Sequence, residues 1–170
     1  MFDPTVFENL KVALENQLYD LDNLTGEIRV VGRTDKLDMA LMSREFSLRF
    51  ELAEEGQAAA EIRLYASLKE LASEILEIPG EKPGCVLSLI FELPVSDVDG
   101  QCAKADLILR SLWQSAEPPV QTLRFVYGEP DIFLNTAELR FNRKIDEDQM
   151  EDLPDLIRHA LQSLRELNAV

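Results

Sequence analysis

A chain of 170 residues carrying 32 acidic against 17 basic side chains has a formal net charge of −15. Such a surface repels nucleic acid and anionic lipid alike, so partners of those two kinds are not expected. With 46% hydrophobic residues, a single histidine and two cysteines, the composition is that of a globular protein, without the usual metal-ligand or acid–base clusters.

The start, MFDPTVFENL, has acids where a secretory signal would have lysine and arginine, and no apolar h-region follows. The longest apolar run, near Cys85–Phe91, is too short to span a bilayer. Cytoplasmic location, no membrane, and one acidic domain over 1–170 are the expectations. Cys85 and Cys102 match no CxxC or zinc spacing and read as reduced structural thiols.

Asp3 is placed to cap the first helix, with Pro4 at its first position and Phe2 and Phe7 as a hydrophobic staple. Val6, Phe7, Leu10, Ala13, Leu14, Leu18 and Leu21 share one apolar face, and Asn23–Gly26 ends the helix. Ile28–Arg33 reads as a strand and Lys36–Met42 as a short helix, with extended structure as the alternative. Phe46, Leu48, Phe50 and Leu52 alternate with polar residues, as do Ala60, Ile62, Leu64 and Ala66, around a turn at Glu54–Gln57. That pattern is a hairpin. Leu68, Leu71, Ala72, Ile75 and Leu76 then return to helical spacing and give Ser67–Leu76 an apolar stripe. Pro79-Gly80 stops it.

Cys85–Leu93, apolar at nearly every position, reads as a central strand covered on both faces. A helix from about Asp99 to Gln114 follows. The second hairpin pairs Leu123, Phe125 and Tyr127 with Ala137, Leu139 and Phe141 around Gly128–Asp131. The last helix has its stripe at Leu153, Leu156, Ile157, Ala160, Leu161 and Leu164. Asp146 and Gln149 have capping-box spacing, and Pro154 marks a fresh start near Asp152.

The fold class is α+β: a mostly antiparallel sheet with helices packed mainly on one face. SLRFEL, EIRLY and LKELASEIL echo TLRFVY, ELRFN and LPDLIRHAL. This suggests an internal β-α-β-β-α duplication behind an N-terminal helix, unless the triplets merely recur as half-buried strands do. In acidity, size and element order the chain resembles type III secretion chaperone-like domains, a likeness of element order that rests on no sequence motif and assigns no function by itself. The strand at Cys85–Leu93 and the helix at Ser67–Leu76 depart from the simplest version of that order.

Asp97-Val98-Asp99-Gly100 looks like a calcium-loop or aspartyl-phosphatase string. Val95 and Asp106 stand where a calcium loop needs an oxygen ligand and a glutamate, so Asp97 is read as a helix cap. The acids from Asp146 to Asp155 suit a helix start. His159 points away from its helix's apolar stripe and is expected on the surface. Neither a metal nor a cofactor is expected. Arg49, Arg63, Arg124 and Arg140 should line the sheet's open face with Glu51, Glu61 and Glu138, as cross-strand ion pairs or as a mixed-charge binding surface. Val12 and Tyr19, seven apart on the polar side of the first helix, are the candidate partner-binding pair.

The leading expectation is a non-enzymatic, protein-binding or chaperone-like module whose partner is another protein or, in a homodimer, a second copy of itself. A carboxylate-dependent hydrolase is the alternative. A DNA mimic ranks third, because acids and bases alternate within the strands.

Overall fold

The computed structural model describes residues 5–54, 56–114, 116–129 and 131–170. Helix α1 (Val6–Asp20) is capped by Thr5, whose Oγ1 accepts the N–H of Glu8 at 3.2 Å. The cap and staple assigned to Phe2, Asp3 and Pro4 lie outside the described residues. The cap of this helix is Thr5 rather than Asp3. A single π-turn, Leu21–Thr25, extends α1 to Gly26, which takes a left-handed φ of 68° and donates to Leu21 O.

Strand β1 (Ile28–Asp38) is longer than the sequence pattern indicates, and Lys36–Met42 holds no helix. Asp38 is the reason. Its Oδ1 accepts the N–H groups of Ala40 and Leu41, and its carbonyl accepts that of Met42, which sits at a φ of 54°. The side chain thus builds a tight turn into β2 (Ser43–Leu52). Leu37, Met39 and Leu41 are exposed, so a helix here would have had no face to bury.

The alternating hairpin is β2 with β3 (Ala59–Ala66). Helix α2 (Leu68–Ile75), capped by Ser67, leads to β4 (Val86–Val95), and α3 (Val98–Leu112) leads on to β5 (Val120–Arg124) and β6 (Phe133–Arg140). A capping box at Asp146 and Gln149 opens a 3₁₀ turn, Glu147–Asp152, from which α4 (Leu153–Asn168) starts afresh with Pro154 in its first turn.

The six strands form one antiparallel sheet in the order β1-β2-β3-β4-β6-β5. The fold is α+β, as the patterning indicates. Phe7, Leu10, Leu14 and Leu18 of α1 and Leu161 and Leu164 of α4 are buried in one core with Phe46, Leu48, Phe50, Ile62, Leu64, Leu89 and Phe91. Those strand residues share a face because partners in register alternate together. On the other face of β4, Ser88 and Ile90 are buried as well. In register they sit between Arg63 and Arg140 and between Glu61 and Glu138. Long charged side chains flank and shield them, and these are what cover the second face of this strand.

The internal echo survives only in part. Both hairpin-then-helix units exist, but β1 turns straight into β2, whereas α3 separates β4 from β5. In the sheet β2 adjoins β1, while β6, not β5, adjoins β4. The two halves therefore do not share one β-α-β-β-α path.

Candidate protein-binding site

The second hairpin and the first lie in the same sheet, so the four arginines do meet on its open face. Arg49 donates to Glu92 at 2.7 Å, and Arg124 lies 3.8 Å from the same carboxylate. Each reaches past a strand bearing a small residue in Glu92's row, Ala59 or Thr136. Arg63 pairs with Glu61 and Glu45, Arg140 with Glu138, and Arg29 with Glu51. This face is a lattice of ion pairs, several of them along one strand and others across strands. Being partly solvated, such pairs contribute modestly each to stability.

The outer flank of α1 is equally occupied. Lys11 donates to Asp35 at 2.5 Å, Arg44 pairs with Glu8 and with Asp35 at 2.9 Å, and Arg33 donates to Glu15 at 2.7 Å. Burial alone would raise the Asp35 carboxyl, but donation from Lys11 and Arg44 outweighs it and holds Asp35 below the usual carboxylate range. Tyr19 falls within this clamped region: it is half-buried and packs against the core beside Arg33. Val12 is 48% exposed and borders a shallow hollow with Asn9, Asn16 and Met150. Of the pair expected to be exposed, Val12 is exposed, whereas Tyr19 is only partly so and packs against the core.

The motif candidates resolve into local structure. Asp97 caps α3, its Oδ1 accepting the N–H of Gly100 at 3.2 Å, and Gln101 Oε1 accepts the N–H groups of Ser96 and Asp97. Among the described residues, no three His, Cys, Asp or Glu side chains gather as a metal site requires. Cys85 is buried, and burial pushes its thiol up to about 12, which leaves it unreactive. His159 is exposed, as expected, yet it stands 5.6 Å from the Trp113 ring at the rim of a cavity of about 550 Å³. Leu87, Leu112, Phe141, Ile145, Leu153 and Leu156 make that cavity's apolar wall. Trp113 is fixed there by donating to Ser163 Oγ at 2.9 Å.

The largest departure from the sequence pattern is α2. Of its stripe, Leu71 packs partly buried against the core, but Leu68, Ile75 and Leu76 are 52%, 56% and 69% exposed, and Ile78 beyond them is exposed too. The polar side faces inward instead. Glu70 accepts from Lys144 at 2.6 Å and from the Gly84 N–H at 3.0 Å; Glu74 accepts the Val6 N–H at 2.8 Å. Ser73 is buried and donates to Glu70 O. The two carboxylates satisfy orphan backbone donors at the start of α1 and before β4. Burial raises the Glu70 carboxyl, but the bonds from Lys144 and Gly84 prevail and hold it low. Two glutamates and Leu71 thereby fix which side of α2 meets the protein, and Leu68, Ile75 and Leu76 are left outward.

No family model matches this sequence, and no curated protein or solved structure matches it either. Among the described residues no helix is long and apolar enough to cross a membrane.

Proposed function

We propose that this protein is a non-enzymatic, chaperone-like module of the cytoplasm that binds another protein through the outward apolar stripe of α2. The observation that carries this reading is the inverted helix: Leu68, Ile75, Leu76 and Ile78 are exposed together while Glu70 and Glu74 point in. Scattered exposed apolar residues need no explanation, but several along one short helix and the residues just after it are a feature of contact surfaces. Exposed Lys69 and Glu77, chain neighbours of Leu68 and Leu76, supply polar groups of both signs near the stripe. The net charge disfavours nucleic acid and anionic membranes as the partner.

A carboxylate-dependent hydrolase draws no comparable support. Asp152 and Asp155 do line the large cavity beside His159, but Asp155 is paired with Arg158 at 2.8 Å, and the other carboxylates named in the site are engaged in ion pairs and helix caps. The test is chemical cross-linking and capture from native lysate with the unaltered protein and with Ile75→Lys/Leu76→Lys. A stoichiometric partner lost from the variant, at unchanged circular dichroism, supports the reading. Capture of the same set by both proteins refutes it.

A further inference from the structure

The two edges of the sheet are built differently. At β1 the register breaks at Val31, charged residues recur along the strand, and ion pairs to Lys11 and Glu15 tie it under α1. Those are the usual devices that keep an edge from pairing. At β5, Val120–Arg124 pairs with β6 through five consecutive residues without a shift. Val120 and Phe125 are more than 60% exposed and Tyr127 is almost fully so. Phe125 packs edge-on against Phe133, 5.8 Å between ring centres, which holds it beside the strand's end.

Charge narrows what can lie on this edge. From Pro118 to Gly128 there are eleven residues without a carboxylate, in a chain with 32 of them. Two copies that each carry −15 repel least where that charge is missing. Antiparallel pairing of two β5 strands about a two-fold axis at Thr122 sets Thr122 against Thr122, Gln121 against Leu123 and Val120 against Arg124. No like charges then oppose one another. Val120 is in register with Glu138 on β6. Arg124 of one copy would therefore reach past Val120 of the other toward its Glu138. It already reaches past the Thr136 strand to Glu92 in the same way. Phe125 and Val126 would meet Pro119 and Pro118 of the second copy.

We propose that β5 pairs with β5 of a second copy, giving a two-fold dimer with one continuous twelve-stranded sheet. The surface is separate from α2, and the inference does not rest on the α2 reading.

The test is sedimentation equilibrium of the purified protein with the variants Thr122→Glu, Thr122→Lys, Val120→Glu and Ile75→Lys/Leu76→Lys. The unaltered chain should sediment at twice the chain mass. Thr122→Glu and Thr122→Lys each place like charges on the axis and should weaken association by about tenfold or more. An equimolar mixture of those two should restore the dimer. Val120→Glu, which faces Arg124, should leave it intact. Thr122→Cys should oxidise to a covalent dimer that a non-reducing gel detects, a readout that tolerates partial loss of affinity. Thr122 is exposed, and circular dichroism confirms that each variant is folded. A monomeric unaltered chain overturns the proposal. So does a dimer indifferent to both Thr122 charges, or one dissolved by the α2 variant alone.

Discussion

If the polar side of α2 is its structural side, the apolar residues should be cheap to lose and Glu70 expensive. Ile75 and Leu76 are each more than half exposed. Full burial of such a side chain is worth about 1.5–3 kcal/mol, so the part buried here is worth roughly 1 kcal/mol each at most. Alanine returns a few tenths of a kcal/mol through its higher helix propensity. The double variant Ile75→Ala/Leu76→Ala should therefore cost about 0–1.5 kcal/mol. Two core residues would cost about 4–10 kcal/mol together. Glu70→Ala removes the acceptor for Gly84 N–H and the partner of Lys144, a loss of about 1–3 kcal/mol. Urea denaturation of dilute protein, read as midpoints at constant slope, gives both values. A double variant that costs about 4 kcal/mol or more, as two core residues would, refutes the inverted orientation.

In α4, Leu161→Ala should cost about 2–5 kcal/mol, because Leu161 is 4% exposed in the core, while exposed His159→Ala should stay within about 0.5 kcal/mol. Chemical denaturation would show a reversed order if the wrong face had been placed inside. Asp35 and Glu70 both titrate below their ordinary values in the folded chain, so the unfolded chain binds more protons as pH falls. Their contribution is complete above the ordinary carboxylate values near pH 4 and is lost as pH drops through the lowered ones. Asp35→Asn with Glu70→Gln should flatten that acid limb in pH-dependent melts; an unchanged limb contradicts the assignment. At the α3 cap, Asp97→Ala should cost about 0.5–2 kcal/mol. A Cβ at Gly100 would fall 2.1 Å from Asp97 Oδ2, so Gly100→Ala should dislodge the cap and gain little, yet stabilise by about 0.5–1 kcal/mol once Asp97 is alanine. Strict additivity in that double-mutant cycle would mean that the two positions do not interact.

Periodicity carried the sequence reading where one face of an element meets the core. The stripes of α1 and α4 and the β2–β3 alternation are of that kind, and the α+β class followed from them. Amphipathicity does not say which side is inside when the polar side has structural partners, and those of α2 lie 14, 68 and 74 residues away. Lys36–Met42 was misread because helix-forming residues outnumber the one that decides, Asp38, whose turn depends on its side-chain geometry. Leu123, Phe125 and Tyr127 alternate like a buried strand, but β5 ends at Arg124 and the latter two extend beyond it into an exposed hairpin end. Of the candidate sites, the open-face arginines were readable from alternation alone. The apolar cavity beside Trp113 joins residues of α3, α4 and β4 that no local pattern connects.

The position of α4 in the chain bears on synthesis. All six strands precede it, yet Leu161, Leu164 and Leu167 cover their inner face, and Asn168 Oδ1 accepts the N–H of Ala58 at the turn between β2 and β3. During translation α1 and the strands leave the ribosome before α4, so the row of phenylalanine and leucine side chains has only part of its roof. The nascent sheet must wait, exposed, until α4 emerges to close it, so the interval before α4 is when this chain is most open to aggregation.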